Sequence, residues 1–224
     1  MCFSASSSFT ATFFLVSIGI LTLSKTKDKS QIMLASIPFF FGIQQAFEGI
    51  VWLTISDPSC LAHKISAFLF LIFAMGVWPM YIPISFALLE TGFRKIILFL
   101  LELIGMAISA YLIYFMIING ITTVQIKHSI FYNIGKIVQF SPQIDVLIYC
   151  IPTILPFFIS RIKYTKIVGA SIFISMIVAY YVKEETFGSI WCFFAALLSI
   201  FILFLIHELN EESCDDKSTI DDIV

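Results

Sequence analysis

The sequence predicts an all-α integral membrane protein of seven transmembrane helices, with its N-terminus outside, its C-terminus cytoplasmic and a small external β-hairpin between helices four and five. Three observations carry that expectation. Apolar runs long enough to cross a bilayer recur seven times; the breaks between them alternate between Lys/Arg-rich and Lys/Arg-poor; and one break alternates with period two.

The runs are Phe3–Leu23, Ile32–Ile55, Ile65–Leu89, Ile96–Ile118, Ile144–Ser160, Ile167–Val182 and Ser189–Ile206. A hydrocarbon core about 30 Å thick needs about 20 apolar residues per helix. Composition agrees: 59% of residues are hydrophobic and 12% charged, with a mean hydropathy of +0.99, whereas charged residues make up about 25% of an ordinary soluble domain. A net charge of -2 and pI near 5.9 leave no basic face for nucleic acid. The first run follows an uncharged stub and has no small-residue cleavage site, so it is expected to be a retained span.

Short loops rich in Lys and Arg stay on the cytoplasmic side. Breaks one, three and five hold eight cations, Lys25, Lys27, Lys29, Arg94, Lys95, Arg161, Lys163 and Lys166, against four, Lys64, Lys127, Lys136 and Lys183, in the others. This places the tail inside. Residues 1–208 read as one transmembrane domain with the hairpin at about 120–143, and residues 209–224 as an acidic, disordered cytoplasmic tail. In the long break, Val124, Ile126, Ile130, Tyr132 and Ile134 alternate with Gln125, Lys127, Ser129 and Asn133, the period of a strand pair. Pro79 and Pro83 in the third run, and Pro152 and Pro156 in the fifth, remove helix donors and predict kinks or early ends.

Polar groups inside such runs point to function, because an intramembrane ionisable residue is costly and faces protein or water. In "GIQQAFEGIVW", Gln44, Glu48 and Trp52 lie four apart on one helix face with Gln45 beside them. Seven residues before Ile55, Glu48 sits about 10 Å below the outer end. The topology brings Cys2, Ser4, Ser7, His63, Tyr180, Tyr181, Trp191 and Cys192 to the same rim, where aromatic residues also serve as an interfacial belt. The second acid, Glu102, reads as reaching back to Arg94 or Lys95. His207 and Glu208 at the inner end are too few for a metal site.

The five cysteines show no metal-ligand spacing. After removal of Met1, Cys2 carries a thiol and an amine, which leaves three roles open: nucleophile, disulfide partner of Cys192 or Cys60, or packing.

Together "MCFSASSSF", "GIQQAFEGIVW" and "GSIWCFFAALLS" resemble a family of uncharacterised bacterial multi-spanning membrane proteins, a domain of unknown function, whose members open with Met-Cys-Phe-Ser and carry a Gln-Gln and Glu-Gly-x-x-Trp segment. The resemblance covers nearly the whole chain and implies a seven-span protein of the inner (plasma) membrane. It adds emphasis on Cys2, Ser4, Gln44, Gln45, Glu48, Trp52, Trp191 and Cys192 but implies no activity. The seven-span alkaline-ceramidase-like superfamily offers a contrast, since its zinc needs histidines that this chain does not place. With His63, His128 and His207 scattered, about three ligands and an open position cannot be assembled, and no metal or other cofactor is expected.

Two functional classes follow. In the first, Ser4, Gln44, Gln45, Glu48, Trp52, Trp191 and Cys192 line an outer pocket that binds or transports a small polar or cationic ligand or a membrane-lipid headgroup. In the second, a hydrolase or transferase uses Cys2 as nucleophile and Glu48 as general acid or base. A structural role, with Glu48 joining helices, is the remaining alternative.

Overall fold

The computed structural model describes residues 4–135, 142–182 and 186–221. The first run becomes α1 (Ala5–Ser24), and the second becomes the short α2 (Ile32–Ala35) and α3 (Ile37–Leu53), divided at Ser36. The third becomes α4 (Leu61–Leu71), a π-helical turn over Ile72–Val77, and α5 (Trp78–Ala87). Then come α6 (Gly92–Asn119), strands β1 (Thr122–Ile126) and β2 (Ser129–Asn133), α7 (Pro142–Ile159), α8 (Thr165–Val182), α9 (Phe187–Leu198) and α10 (Phe201–Asp221). Among the described residues, five helical stretches are long and apolar enough to cross a membrane: Ala5–Ser24, Lys29–Leu53, Leu61–Ala87, Gly92–Asn119 and Phe187–Glu211. Ile144–Ile159 and Thr165–Tyr181 are shorter apolar helices.

Alternating helix directions give the bundle two ends. The hairpin end collects the start of α1, the end of α3 and β1–β2. The basic end collects Lys25, Lys27, Lys29, Arg94, Lys95 and the α7–α8 turn.

Glycines set the closest helix contacts. A Cβ on Gly19 would lie 2.5 Å from Phe39 N, and one on Gly42 would lie 2.7 Å from Val16 Cγ2. Small residues of this kind let helices approach within apolar surroundings, where packing drives association. At Gly105 of α6, a Cβ would fall 1.9 Å from the Pro79 carbonyl oxygen.

The prolines act differently from the expectation of an early end. α7 runs unbroken through Pro152 and Pro156. Ahead of Pro79 the third run widens into the π-turn, where Trp78 N donates to Phe73 O instead of Ala74 O. Since Pro79 has no N–H, Ala74 O loses both of its helical donors. The Tyr149 hydroxyl of α7 donates to it, and Ser109 Oγ of α6 donates to Gly76 O at 2.7 Å. A backbone carbonyl freed among apolar helices needs such a partner from a neighbouring helix.

The hairpin is antiparallel, with Thr123 opposite Tyr132 and Gln125 opposite Ile130 across a two-residue turn at Lys127 and His128. Directly opposed residues share a face. Thr123 and Gln125 therefore share a face with Ile130 and Tyr132, while Val124 stands on the opposite face and is exposed. The period-two pattern thus locates the strands, but its apolar set is split between the two faces. Docking comes from β2: Ile130 packs with Val51, Trp52 and Ala67, and the Tyr132 ring stacks on Phe70 at 4.8 Å. His63 ties β1 to α3, contacting Thr123 Oγ1 at 2.6 Å and Thr54 Oγ1 at 3.0 Å.

Three observations concern charged segments. The backbone of residues 209–221 continues α10 as helix. Propagating a formed helix fixes one residue per added bond and avoids the nucleation cost. Asn210 anchors this extension, accepting from Gln31 Nε2 at 3.1 Å and donating to Lys25 O at 2.8 Å. Secondly, no ion pair among the described residues joins Glu102 to Arg94 or Lys95, and Lys95 lies over the Phe99 ring instead. Thirdly, the buried acid of the basic end is Glu90, 1% exposed, to which the sequence draws no attention. Its Oε1 accepts from Ser160 Oγ and Arg161 N, both at 2.8 Å, and Arg161 Nε lies 3.4 Å from Oε2.

The Gly105 contact yields a direct test. Gly105→Ala forces Pro79 backbone and α6 apart, and overpacking of this kind costs about 1–3 kcal/mol. A thermal melt in detergent should show a clear fall for this variant and little change for Gly188→Ala, whose added methyl meets nothing within 4 Å.

Candidate functional site

At the hairpin end, the Glu48 stripe on α3 meets the first turns of α9. Glu48 is 3% exposed and accepts a hydrogen bond at Oε1 from Ser189 Oγ. Gln44, fully buried, accepts at Oε1 from Trp78 Nε1 at 2.7 Å, and its amide faces the Cys192 thiol. The buried Gln45 has its amide against the Glu48 carboxyl group without meeting full hydrogen-bond geometry.

Beside this cluster is a cavity of about 320 Å³. Its wall includes Ser189, so Glu48 stands immediately behind that wall, holding a residue that faces the space. Tyr132, Asp145, Thr186 and Trp191 also line it, and each has a buried polar atom with no hydrogen-bond partner: Tyr132 OH, Asp145 Oδ2, Thr186 Oγ1 and Trp191 Nε1. Burial pushes the Tyr132 phenol well above the usual tyrosine range, with the Glu48 carboxylate acting in the same direction, so the hydroxyl stays protonated. Aromatic rings supply the other surface. Trp191 stacks on Phe187 at 5.4 Å and meets Tyr149 edge-on at 5.6 Å.

Unpartnered buried polar atoms are rare, because each forfeits its hydration without compensation. Here the four on Tyr132, Asp145, Thr186 and Trp191 gather around one space, which makes it a place where a bound molecule would restore missing hydrogen bonds.

The residues singled out in the sequence divide into two groups. Gln44, Gln45 and Glu48 come together, and Trp191 and Cys192 line the cavity. Trp52 does not join them; it packs with Val51, Ala67 and Ile130 beneath the hairpin. Ser4 is the N-cap of α1, exchanging hydrogen bonds with Ser7 in a capping box. Cys2 lies outside the described residues, while Cys60, Cys150 and Cys192 are free thiols. Tyr181 is 83% exposed, as a belt residue is, whereas the Tyr180 ring meets Phe187.

Sequence reading passed over Ser189, Tyr132, Tyr149, Asp145 and Thr186. A signal existed for some of them: Asp145 and Tyr149 are four apart on α7, and Ser189 and Cys192 three apart on α9, each pair on one helix face. At the basic end, His207, Glu208 and Glu211 bring potential ligand atoms within 4.8 Å of one another. Glu208 is paired with Lys163 at 3.3 Å and His207 with Glu211 at 3.5 Å.

A family model described as a family of unknown function (DUF6629) matches residues 1–216. The chain belongs to this family. No curated protein and no solved structure matches the chain. The match spans all seven apolar runs and both halves of the Glu48–Ser189 contact.

The Ser189–Glu48 bond predicts an ordered pair of effects. Ser189→Ala strips the buried carboxylate of its donor, a loss of about 1–3 kcal/mol. Glu48→Gln keeps a carbonyl oxygen to accept the same bond and removes a buried charge. Melting of the purified variants should therefore show Ser189→Ala as the more destabilised of the two.

Proposed function

We propose that the protein is a multi-pass membrane binding or transport module whose hairpin-end cavity holds a small polar or cationic ligand. The observation that carries this reading is the set of unpartnered polar atoms on Tyr132, Asp145, Thr186 and Trp191 around a single space. Charge favours a cation: Asp145 lines the cavity and Glu48 stands behind it, while the described lining holds no Lys, Arg or His. The rings of Phe70, Tyr132, Tyr149, Phe187 and Trp191 add the π-faces on which ammonium groups bind. Ser189 extends the polar side.

Tetramethylammonium is a suitable first probe. It should raise the melting temperature of the detergent-purified protein saturably, and Asp145→Asn should weaken binding about tenfold, equivalent to about 1.4 kcal/mol. Tyr132→Phe removes a hydroxyl with no partner, so the ligand-free protein should melt no lower than wild type while its response to ligand shrinks. Absence of any saturable shift in wild type would count against the cation.

In this reading the hairpin end faces outward across a bacterial inner membrane, supported by the eight-to-four division of Lys and Arg between the two sets of breaks. A membrane-impermeant thiol reagent applied to intact cells should label Lys127→Cys in a Cys60→Ser background. Lys27→Cys should react only after permeabilisation; the reverse pattern would invert the orientation.

A further inference from the structure

Next to the polar cavity is a second, narrower one of about 60 Å³, which extends toward the basic end between α3, α5, α7, α8, α9 and α10. The two cavities share Tyr149, Trp191 and Cys192 as lining, so they adjoin across those three side chains. Their chemistry differs sharply. The narrow cavity is walled by Ile37, Phe41, Ile82, Phe157, Val168 and Ile172 among others, and its polar groups are already satisfied. Thr153 Oγ1 donates to Tyr149 O and Ser199 Oγ to Ala196 O, each within its own helix. Trp78 Nε1 donates to Gln44, and the Tyr149 hydroxyl to Ala74 O. Among the described residues that line the two cavities, the unpartnered side-chain polar atoms belong to the wide cavity and the junction, where Trp191 presents its Nε1.

An apolar void of this kind holds water poorly and apolar groups well. The junction is lined by one small side chain, Cys192, between the edge-to-face rings of Tyr149 and Trp191. Each ring is fixed by a partner that itself lines the wide cavity: Tyr149 by its bond to Ala74 O, and Trp191 by stacking on Phe187.

From this pairing of a polar chamber with an apolar annex we infer that the ligand is a single-chain amphiphile, its hydrogen-bonding or ammonium head among Tyr132, Asp145, Thr186 and Trp191 and its apolar tail passing Cys192 into the bundle core. The inference rests on the cavity being a ligand site and names the ligand class that the site takes. It separates this protein from a binder of compact ions, for which the annex would contribute nothing. It also separates it from a protein that holds only the headgroup of a bilayer lipid, whose chains would lie outside the bundle.

The test is a homologous series titrated against the full-length protein in detergent: tetramethyl-, ethyltrimethyl-, propyltrimethyl- and butyltrimethylammonium. Burying each added methylene contributes about 0.8 kcal/mol, so affinity should rise about fourfold per carbon. Ala195→Leu fills the annex and should flatten the series while leaving tetramethylammonium affinity unchanged. Val168→Leu, which adds a single methylene to the same wall, serves if Ala195→Leu fails to fold. A flat series in wild type, or an equal slope in wild type and the annex variant, overturns the inference while leaving the polar site standing. If tetramethylammonium itself does not bind, the cation reading falls, and the n-alkanols from ethanol to butanol carry the test of the tail. A per-carbon gain that the annex variant abolishes supports the annex as an acyl or alkyl site, and a flat alkanol series removes it.

Discussion

The structure depends on how it answers one local deficit, the Ala74 carbonyl released where the π-turn meets Pro79 in the third apolar run, and on the cross-helix bonds that gather around it. In water the released group would be hydrated; among apolar helices it must find a protein donor. Tyr149 reaches across from α7 to Ala74 O and Ser109 from α6 to Gly76 O, while Gly105 lets α6 approach the Pro79 carbonyl itself. Three helices are thereby fixed around the π-turn by backbone chemistry, a more directional constraint than side-chain packing alone. The same bond determines which way the Tyr149 ring points, and that ring is a wall of both cavities. The shape of the candidate site is in this sense a by-product of repairing a proline.

Two buried acids mark the two ends of the bundle, and they are treated differently. Glu90 receives a hydroxyl and a backbone N–H and lies against a guanidinium, the kind of charge-assisted contacts that hold a buried carboxyl group in place. Glu48 receives the hydroxyl of Ser189 and lies among glutamine amides whose own hydrogen bonds are incomplete. Three donors around one acid and a single hydroxyl on the other separate a structural clamp from a cluster that has hydrogen-bonding capacity left.

Apolar length and the break pattern located the helical runs, five of which are long and apolar enough to cross a membrane while two are shorter. What stayed hidden has a common cause in tertiary pairing. Glu90 sits at the end of a run beside Thr91 and Gly92 and looks like an ordinary loop acid; only the fold brings Ser160 and Arg161 to it. Ser189 likewise is one serine among many until α9 is set against α3. Glu48 and the glutamines were legible because a carboxylate in mid-run is anomalous by itself, whereas Trp52 was misplaced into the pocket: helix periodicity says which residues share a face but not how far along the helix a cavity extends. The hairpin shows the same limit in two dimensions. Alternation located the strands, yet the register across the turn decided that Thr123 and Gln125 share the face of Ile130 and Tyr132.

The Glu90 clamp also orders the making of the protein. Ser160 and Arg161 are 70 and 71 residues downstream of the acid they satisfy, so α6 is synthesised while Glu90 still has none of those donors. The first six helices therefore form an unfinished assembly without the hydroxyl, the backbone N–H and the guanidinium that hold Glu90. Closure of the bundle at that end waits on α7, and a chain interrupted before Ser160 would leave this acid without its clamp.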